Sequence, residues 1–172
     1  MVLSEQELSV VVARLAAEIS ADYHGRDLVV VGVLRGSVIF VADLIRRLTV
    51  PVRLDFVALS SYGDRVSSSG EVRLHKDLEE SVEDRHLLIV EDIVDTGLTL
   101  RYLLTSMQTR GAASVKSCAL LDKPSRREVD TRVDYVGKVV PDEFLVGYGL
   151  DYAQRYRNLP YVGVLRRELC ES

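Results

Sequence analysis

The sequence predicts an α/β protein with a mostly parallel central sheet flanked by helices. Short, continuous apolar runs occur along the chain, most clearly at residues 87–90, and such runs are typical of parallel strands covered on both faces. Gly97, flanked by hydroxyl residues, separates this run from an amphipathic stretch. Apolar residues then recur at the spacing of one helical face: Leu100, Leu103, Leu104 and Met107. The alternation of buried strand, glycine-containing loop and helix indicates the fold class.

Length and composition narrow the class of protein. At 172 residues we expect one domain over 1–172, and the net charge of −4 argues against a sequence-independent nucleic-acid partner. Cys118 and Cys170 fit no zinc spacing, and a disulfide between them is not expected. No apolar run reaches membrane length and no signal-peptide pattern is visible. We therefore expect a cytoplasmic protein with no membrane partner.

The first unit is helix, strand, helix. Ser4 and Glu7 have the spacing of a capping box, and the helix that they begin is predicted to end near Gly25. Its apolar face consists of Leu8, Val11, Val12, Leu15 and Ile19. Residues 28–34 form the next predicted strand, and a second helix follows, closed by Pro51. The apolar face of that helix consists of Phe40, Val41, Leu44, Ile45 and Leu48.

A hairpin is predicted next. Residues 53–59 have the pattern of a strand, residues 60–70 are small and polar, and residues 71–78 have the pattern of a return strand. The polar stretch has two interpretations: an ordinary hairpin tip, or an active-site lid that closes over reacting groups.

The last strands are predicted at residues 114–121 and 133–140. Lys123 follows the first of them after one residue, Asp122, and Arg35 follows residues 28–34 directly. A solvated surface position is the simple interpretation of each of these two side chains taken alone. Phe144, taken alone, is plain core.

Residues 91–99 contain the groups of a candidate ligand-binding site. Glu91 and Asp92 stand at the predicted carboxyl end of a buried strand, where open α/β sheets bind ligands. The backbone N–H groups of residues 96–99, two hydroxyls and the helix dipole form an anion cradle. A capped turn is the alternative, but two carboxylates on a buried strand favour a function. A ribose 5-phosphate would suit both parts of such a site, with its hydroxyls at the carboxylates and its phosphate in the cradle.

Residues 90–100, Val-Glu-Asp-Ile-Val-Asp-Thr-Gly-Leu-Thr-Leu, resemble the motif with which type I phosphoribosyltransferases bind 5-phosphoribosyl pyrophosphate (PRPP). The Glu-Asp pair followed by Asp-Thr-Gly is similar to the 6-oxopurine branch of that family. The resemblance covers roughly residues 28–165. It departs at Leu98, where mammalian members carry lysine. It implies the family fold, with a lid hairpin at about 60–76 and a small hood formed by segments near both termini.

The resemblance implies a purine salvage enzyme with Mg²⁺ as cofactor. Its substrates would be PRPP and hypoxanthine or guanine, and its products IMP or GMP with pyrophosphate. The family forms homodimers or homotetramers.

Site residues are carried over position by position from the matching motifs. Asp95 would be the general base that accepts the N7 proton of the purine. The ribose hydroxyls and 5-phosphate would be bound by Glu91, Asp92, Thr96, Gly97, Leu98 and Thr99. Pyrophosphate would be bound by Arg35, Gly36 and Arg157, after a cis peptide at Leu34–Arg35. The purine would be bound by Lys123, Phe144, Leu145 and Asp151. The metal would be held by Glu91, Asp92 and Asp151, and the lid would contribute Ser61 and Tyr62.

Three alternatives remain open at this stage. One is a non-enzymatic regulator that senses PRPP. A second is a phosphohydrolase or receiver domain with Asp92 or Asp95 as phosphoacceptor, although its Asp-x-Asp pattern is absent. The third is another base specificity on the same fold, either xanthine-guanine or pyrimidine.

Overall fold

The computed structural model describes residues 1–61 and 72–166. The lid prediction at Tyr62, most of the predicted lid hairpin and Cys170 lie outside these residues. Within the described part of the chain, no helix combines the length and apolar content needed to cross a membrane.

The fold is built on a six-stranded sheet. Its strands are β1 Leu28–Leu34, β2 Val52–Ser61, β3 Val72–Lys76, β4 His86–Val94, β5 Ser114–Asp122 and β6 Tyr135–Val139. The order across the sheet is β3-β2-β1-β4-β5-β6. All neighbouring pairs are parallel except β2 and β3. The predicted mostly parallel sheet is confirmed.

Helices cover both faces of the sheet. They are α1 Glu5–Asp22, α2 Val38–Ile45 and α3 Leu98–Thr109. Helices α1 and α2 pack with one apolar cluster, and α3 packs with the other. The predicted capping box begins α1: the Ser4 N–H donates to Glu7 Oε2 at 2.7 Å, and the Glu7 N–H donates to Ser4 Oγ at 3.3 Å. Burying both faces of the sheet explains the continuous apolar runs in the sequence.

The predicted hood is a small second sheet. Strands β7 Leu145–Val146 and β8 Gly163–Val164 pair antiparallel. Leu3 forms a bridge with Val162, so the chain start joins the C-terminal segments in this hood. Leu145 of β7 lines a cavity together with Asp92 of β4, which places this part of the hood at the carboxyl-end edge of the large sheet.

Several predicted boundaries differ from the structure by a few residues, and those of β4 and α2 have consequences for the fold or the site. Strand β4 continues to Val94 because Ile93 and Val94 keep their pairing with β5, so Glu91 and Asp92 lie within the strand and not after it. Helix α2 ends at Ile45. The Arg47 N–H donates to the Leu44 carbonyl at 2.9 Å, which is a turn rather than another helical hydrogen bond. Leu48 therefore packs against the core from outside the helix.

Candidate active site

Three loops meet at the carboxyl-end edge of the sheet. They are the β1–α2 loop (residues 35–37), the β4–α3 loop (residues 95–97) and the β5–β6 loop (residues 123–134). Because β1, β4 and β5 are parallel neighbours, these loops leave the same side of the sheet, where α/β proteins bind ligands.

The β4–α3 loop has the backbone form of an anion site. Gly97 is the N-cap of α3, has φ +84° and makes no side-chain cap hydrogen bond. The first N–H groups of α3 therefore keep capacity for a ligand, at the positive end of a 12-residue helix. The Leu98 N–H lies 3.4 Å from Thr96 Oγ1. Residues 96–99 thus have the arrangement expected for a phosphate cradle.

Two carboxylates, Glu91 and Asp92, lie within the last four residues of β4 in an environment that disfavours their charge. Burial, and then the neighbouring Asp92, raise the pKa of Glu91 well above its ordinary value. Burial raises the pKa of Asp92 to about 6, although two backbone N–H groups and Arg157 act in the opposite direction. A nearby cation stabilises the charged form of carboxylates whose pKa values are raised in this way.

The residues present fit a divalent cation that is shared with a substrate. Carboxylate oxygens are the ligands that Mg²⁺ prefers, and it is often bound by one or two carboxylates together with water and substrate phosphates. Across residues 1–61 and 72–166, no three His, Cys, Asp or Glu side chains form a metal cluster by themselves. Asp151, the third predicted metal ligand, is paired with Arg157 at 2.8 Å between Oδ1 and Nη2. Glu91 and Asp92 are therefore the stronger candidates for ligands.

The β1–α2 loop lies directly against Asp92. The Leu34–Arg35 peptide is cis, as the resemblance implies. A Cβ placed on Gly36 would lie 1.8 Å from Asp92 Oδ2. Glycine is thus needed at position 36 for this approach of the loop to the strand.

Gln154 brings the two arginines predicted for pyrophosphate together. Its Oε1 accepts from Arg35 Nη1 at 3.2 Å and from Arg157 Nη2 at 3.3 Å. Arg157 Nη1 also donates to the Gly149 carbonyl at 2.7 Å. Gln154 was not among the predicted site residues, since a neutral side chain in an irregular segment gives no sequence signal of this position.

The predicted purine residues line one cavity of about 570 Å³ at this edge. Its walls include Asp92, Asp95, Lys123, Phe144, Leu145 and Asp151. Lys123 is buried and donates to the Glu143 carbonyl at 2.6 Å. Phe144 is half-exposed and meets Tyr152 edge-on, with 5.5 Å between the ring centroids. A buried cation and an exposed aromatic ring in the wall of one cavity suit a planar base that bears a carbonyl oxygen.

Two arginines of the β5–β6 loop contact Asp95, one at its side chain and the other at its backbone carbonyl. The Arg126 Nε lies 3.2 Å from Asp95 Oδ1, and Arg127 Nη1 donates to the Asp95 carbonyl at 2.7 Å. Neither Arg126 nor Arg127 was predicted to have a role in the site. The available signal was their position just after Lys123, close to the carboxyl end of β5.

The structure therefore brings every predicted site residue that it describes to one edge of the sheet, where β2 also ends because it is parallel to β1. Ser61 ends β2, and its backbone alone is described. Tyr62 lies outside the described residues. The individual roles of the assembled residues stay predictions.

Known proteins match this chain over most of its length. The family profile described as Phosphoribosyl transferase domain matches residues 1–153. The hypoxanthine-guanine phosphoribosyltransferase of Bacillus subtilis is 50% identical over 172 residues, which is 100% of this chain and 96% of that protein. A crystal structure of a Staphylococcus aureus hypoxanthine phosphoribosyltransferase superposes with a TM-score of 0.96 at 45% identity, covering 100% of this chain and 94% of that one.

Some relatives are much longer. A protein of Listeria innocua named bifunctional protein TilS/HprT is 52% identical over 169 residues, which is 98% of this chain and 26% of that protein. The chain thus spans about a quarter of the length of the bifunctional relatives that it matches.

The sheet order, the loop cluster at its carboxyl edge and the profile match define a phosphoribosyltransferase. Because relatives at about half identity match almost the whole chain from end to end, it belongs to the hypoxanthine-guanine phosphoribosyltransferase family.

Proposed function

We propose that this protein transfers the 5-phosphoribosyl group of PRPP to hypoxanthine or guanine, giving IMP or GMP and pyrophosphate. The observation that carries the proposal is one cavity with Asp95 and Lys123 in its wall, next to the open N-terminus of α3. A base, a donor and a phosphate cradle are the three groups that such a transfer needs. We also propose that it acts as a single domain over 1–172 in the cytoplasm, in purine salvage.

The reaction breaks the bond between C1 of the ribose and pyrophosphate and forms a bond from C1 to a purine ring nitrogen. The transition state resembles a ribosyl oxocarbenium ion, so positioning and electrostatics provide most of the rate enhancement. Asp95 lines the cavity, where it accepts the N7 proton of the incoming base. The N–H groups of residues 96–99 hold the 5-phosphate.

Glu91 and Asp92 orient the ribose hydroxyls beside the cradle. They would also hold Mg²⁺, with Asp151 as a further candidate ligand. When bound, the ion neutralises charge on the leaving pyrophosphate. Arg35, Gly36 and Arg157 bind the pyrophosphate itself, and the convergence of both arginines on Gln154 supports this. Ser61 and Tyr62 belong to the proposed lid.

Selectivity for the base depends on other residues that line the same cavity. Lys123 donates to the purine O6, which favours 6-oxopurines over adenine, because adenine carries an amino group there. Phe144 stacks on the base and the backbone of Leu145 contacts its edge. The buried position of Lys123 in the cavity wall supports this role: one of its N–H groups donates to the Glu143 carbonyl, and the ammonium carries two further donors.

The test is nucleotide formation from PRPP and Mg²⁺ with hypoxanthine, guanine, xanthine, adenine and uracil offered separately. Product with hypoxanthine or guanine and none with adenine is expected. Measurable PRPP binding without product from any base would instead favour a PRPP-sensing regulator. Preference for adenine or uracil would contradict the role of Lys123.

We also propose a homodimer or homotetramer. The α2 residues Val38 and Ile39 expose about two-fifths of their surface beside the β1–α2 loop, which supports a contact between copies there. Light scattering after gel filtration gives the mass directly, and a monomer at working concentration would contradict this.

A further inference from the structure

We infer that Arg127 is a positioning residue that holds the β4–α3 loop in its ligand-binding form. The inference rests on the proposed function, because it assigns a role within the same site. Arg127 is not placed to touch substrate; it acts through residues 95–97.

The first support is a pair of contacts from one guanidinium group. Nη1 of Arg127 donates to the Asp95 carbonyl at 2.7 Å, and Nη2 pairs with Asp122 Oδ1. Both side chains are largely buried, with 15% and 12% exposed. Asp122 ends β5, so this guanidinium connects the end of one sheet strand to the loop that follows its neighbour.

The second support is packing beneath the cradle. A Cβ placed on Gly97 would lie 2.8 Å from Arg127 Cδ, so the arginine stem fills the space that glycine leaves open. The next residue contributes as well, because the Glu128 N–H donates to the Thr96 carbonyl at 2.9 Å. Each residue of the β4–α3 loop therefore contacts residue 127 or 128.

The third support is that α3 lacks a side-chain cap of its own. A helix N-terminus that binds phosphate must present its N–H groups in a fixed direction, and here the β5–β6 loop provides the fixing contacts. The charge of Arg127 is already paired with Asp122. Its effect on PRPP is therefore transmitted by loop geometry and not by direct attraction to phosphate.

The experiment compares Arg127→Met, which keeps most of the stem, with Arg127→Lys. We expect kcat/KM for PRPP to fall roughly 10- to 100-fold in the methionine variant, the range typical of losing a hydrogen bond from a charged donor. The KM for hypoxanthine should change much less than the KM for PRPP. The lysine variant should recover part of the loss, because one ammonium can reach only one of the two partners.

The matched control is Arg14→Met. Arg14 also pairs with a carboxylate, Glu18, at 2.8 Å, and it donates to the carbonyls of Val136 and Gly137 at 2.9 Å each. It lies on α1, apart from the loop cluster. Wild-type kinetics are expected for Arg14→Met. If Arg127→Met has the kinetics of that control, the inference is wrong.

Removing Arg127 leaves Asp122 unpaired, which lowers stability by itself. A double variant, Arg127→Met with Asp122→Asn, removes the unpaired charge. Recovery of stability with PRPP kinetics still impaired is expected. Recovery of both would show that Arg127 is merely structural and would overturn the inference.

Failure of the proposed function can be distinguished from failure of the inference about Arg127. A wild-type protein that forms no nucleotide from any base contradicts the transfer reaction, and titration calorimetry with PRPP and Mg²⁺ then judges Arg127 alone. Weaker PRPP binding by Arg127→Met than by Arg14→Met supports the inference, and equal binding overturns it. A wild type that binds no PRPP would overturn both.

Discussion

Gly36 and Asp92 approach so closely that no side chain fits between them: a Cβ at Gly36 would lie 1.8 Å from Asp92 Oδ2 and 2.6 Å from its Cγ. The contact joins the loop that follows β1 to the carboxylate pair of β4, and thus the predicted pyrophosphate and ribose subsites.

The first prediction concerns this contact. Gly36→Ala must displace either the β1–α2 loop or Asp92, so we expect the KM for PRPP to rise about tenfold or more, because misplaced binding groups lose much of their effect. The control is Gly163→Ala in β8, where an added Cβ would meet Tyr161 at an ordinary 3.4 Å. Steady-state kinetics check the pair, and equal KM values in the two variants would contradict the prediction.

The second prediction concerns the proposed base. Asp95→Asn should lower kcat about 10²- to 10⁴-fold, the usual contribution of a general base, while PRPP binding measured by calorimetry changes little. Asp142→Asn removes the same charge from the wall of the same cavity and should cost far less. Similar losses in both variants would attribute the effect to cavity charge rather than to proton transfer.

The third prediction concerns Lys123. Lys123→Met should lower kcat/KM for hypoxanthine roughly 10- to 100-fold, because the O6 acceptor would lose a charged donor. The kcat/KM for adenine should not fall in this way, so the ratio of kcat/KM for hypoxanthine to that for adenine should decrease. The KM for PRPP should stay close to wild type, and a variant that still rejects adenine as strongly as before would refute the assignment.

The fourth prediction separates stability from activity at Glu91. This carboxylate is only 7% exposed and stands beside Asp92, so its charge is costly in the ligand-free protein. Glu91→Gln should therefore raise the melting temperature, by about 2–4 °C for each kcal/mol gained, while activity falls. Thermal unfolding without ligands is the measurement, and a lower melting temperature would show that the charge is not destabilising.

The fifth prediction concerns pH and a cluster at the opposite edge of the sheet. A hydrogen bond from the Tyr135 hydroxyl, and then Lys116, lower the pKa of Asp22. The folded protein thus binds this proton less readily than the unfolded chain does, so the stabilisation is present at neutral pH and is lost as pH falls through the lowered pKa.

Asp22→Asn should accordingly be slightly less stable than wild type at neutral pH, by at most about 1 kcal/mol for a partly exposed pair. Urea unfolding should show this difference shrinking below about pH 4, near the ordinary pKa of aspartate. Nucleotide formation should be unchanged, because Asp22 lies at the end of α1, away from the loop cluster. A difference that grows in acid would show that the sign is wrong.

The large sheet and the phosphate cradle could be predicted from the sequence, because both depend on patterns among neighbouring residues. Residues 28–34 were predicted as a strand and form β1 with those bounds. Gly97, between β4 and an amphipathic run, marked the loop that begins α3. The extension of β4 to Val94 was missed, since it depends on pairing with β5 and the apolar run ends before it.

By itself, the sequence determined the three helices, the strands of the large sheet and the residues that match the PRPP motif, because periodicity and motif spacing need only neighbouring positions. The tertiary structure alone decided that Gly36 lies against Asp92, that Gln154 joins Arg35 to Arg157, and that Arg127 supports Asp95 from 32 residues away. Those contacts depend on which strands become neighbours in the sheet. Burial of the apolar faces brings them together, and no local pattern encodes the result.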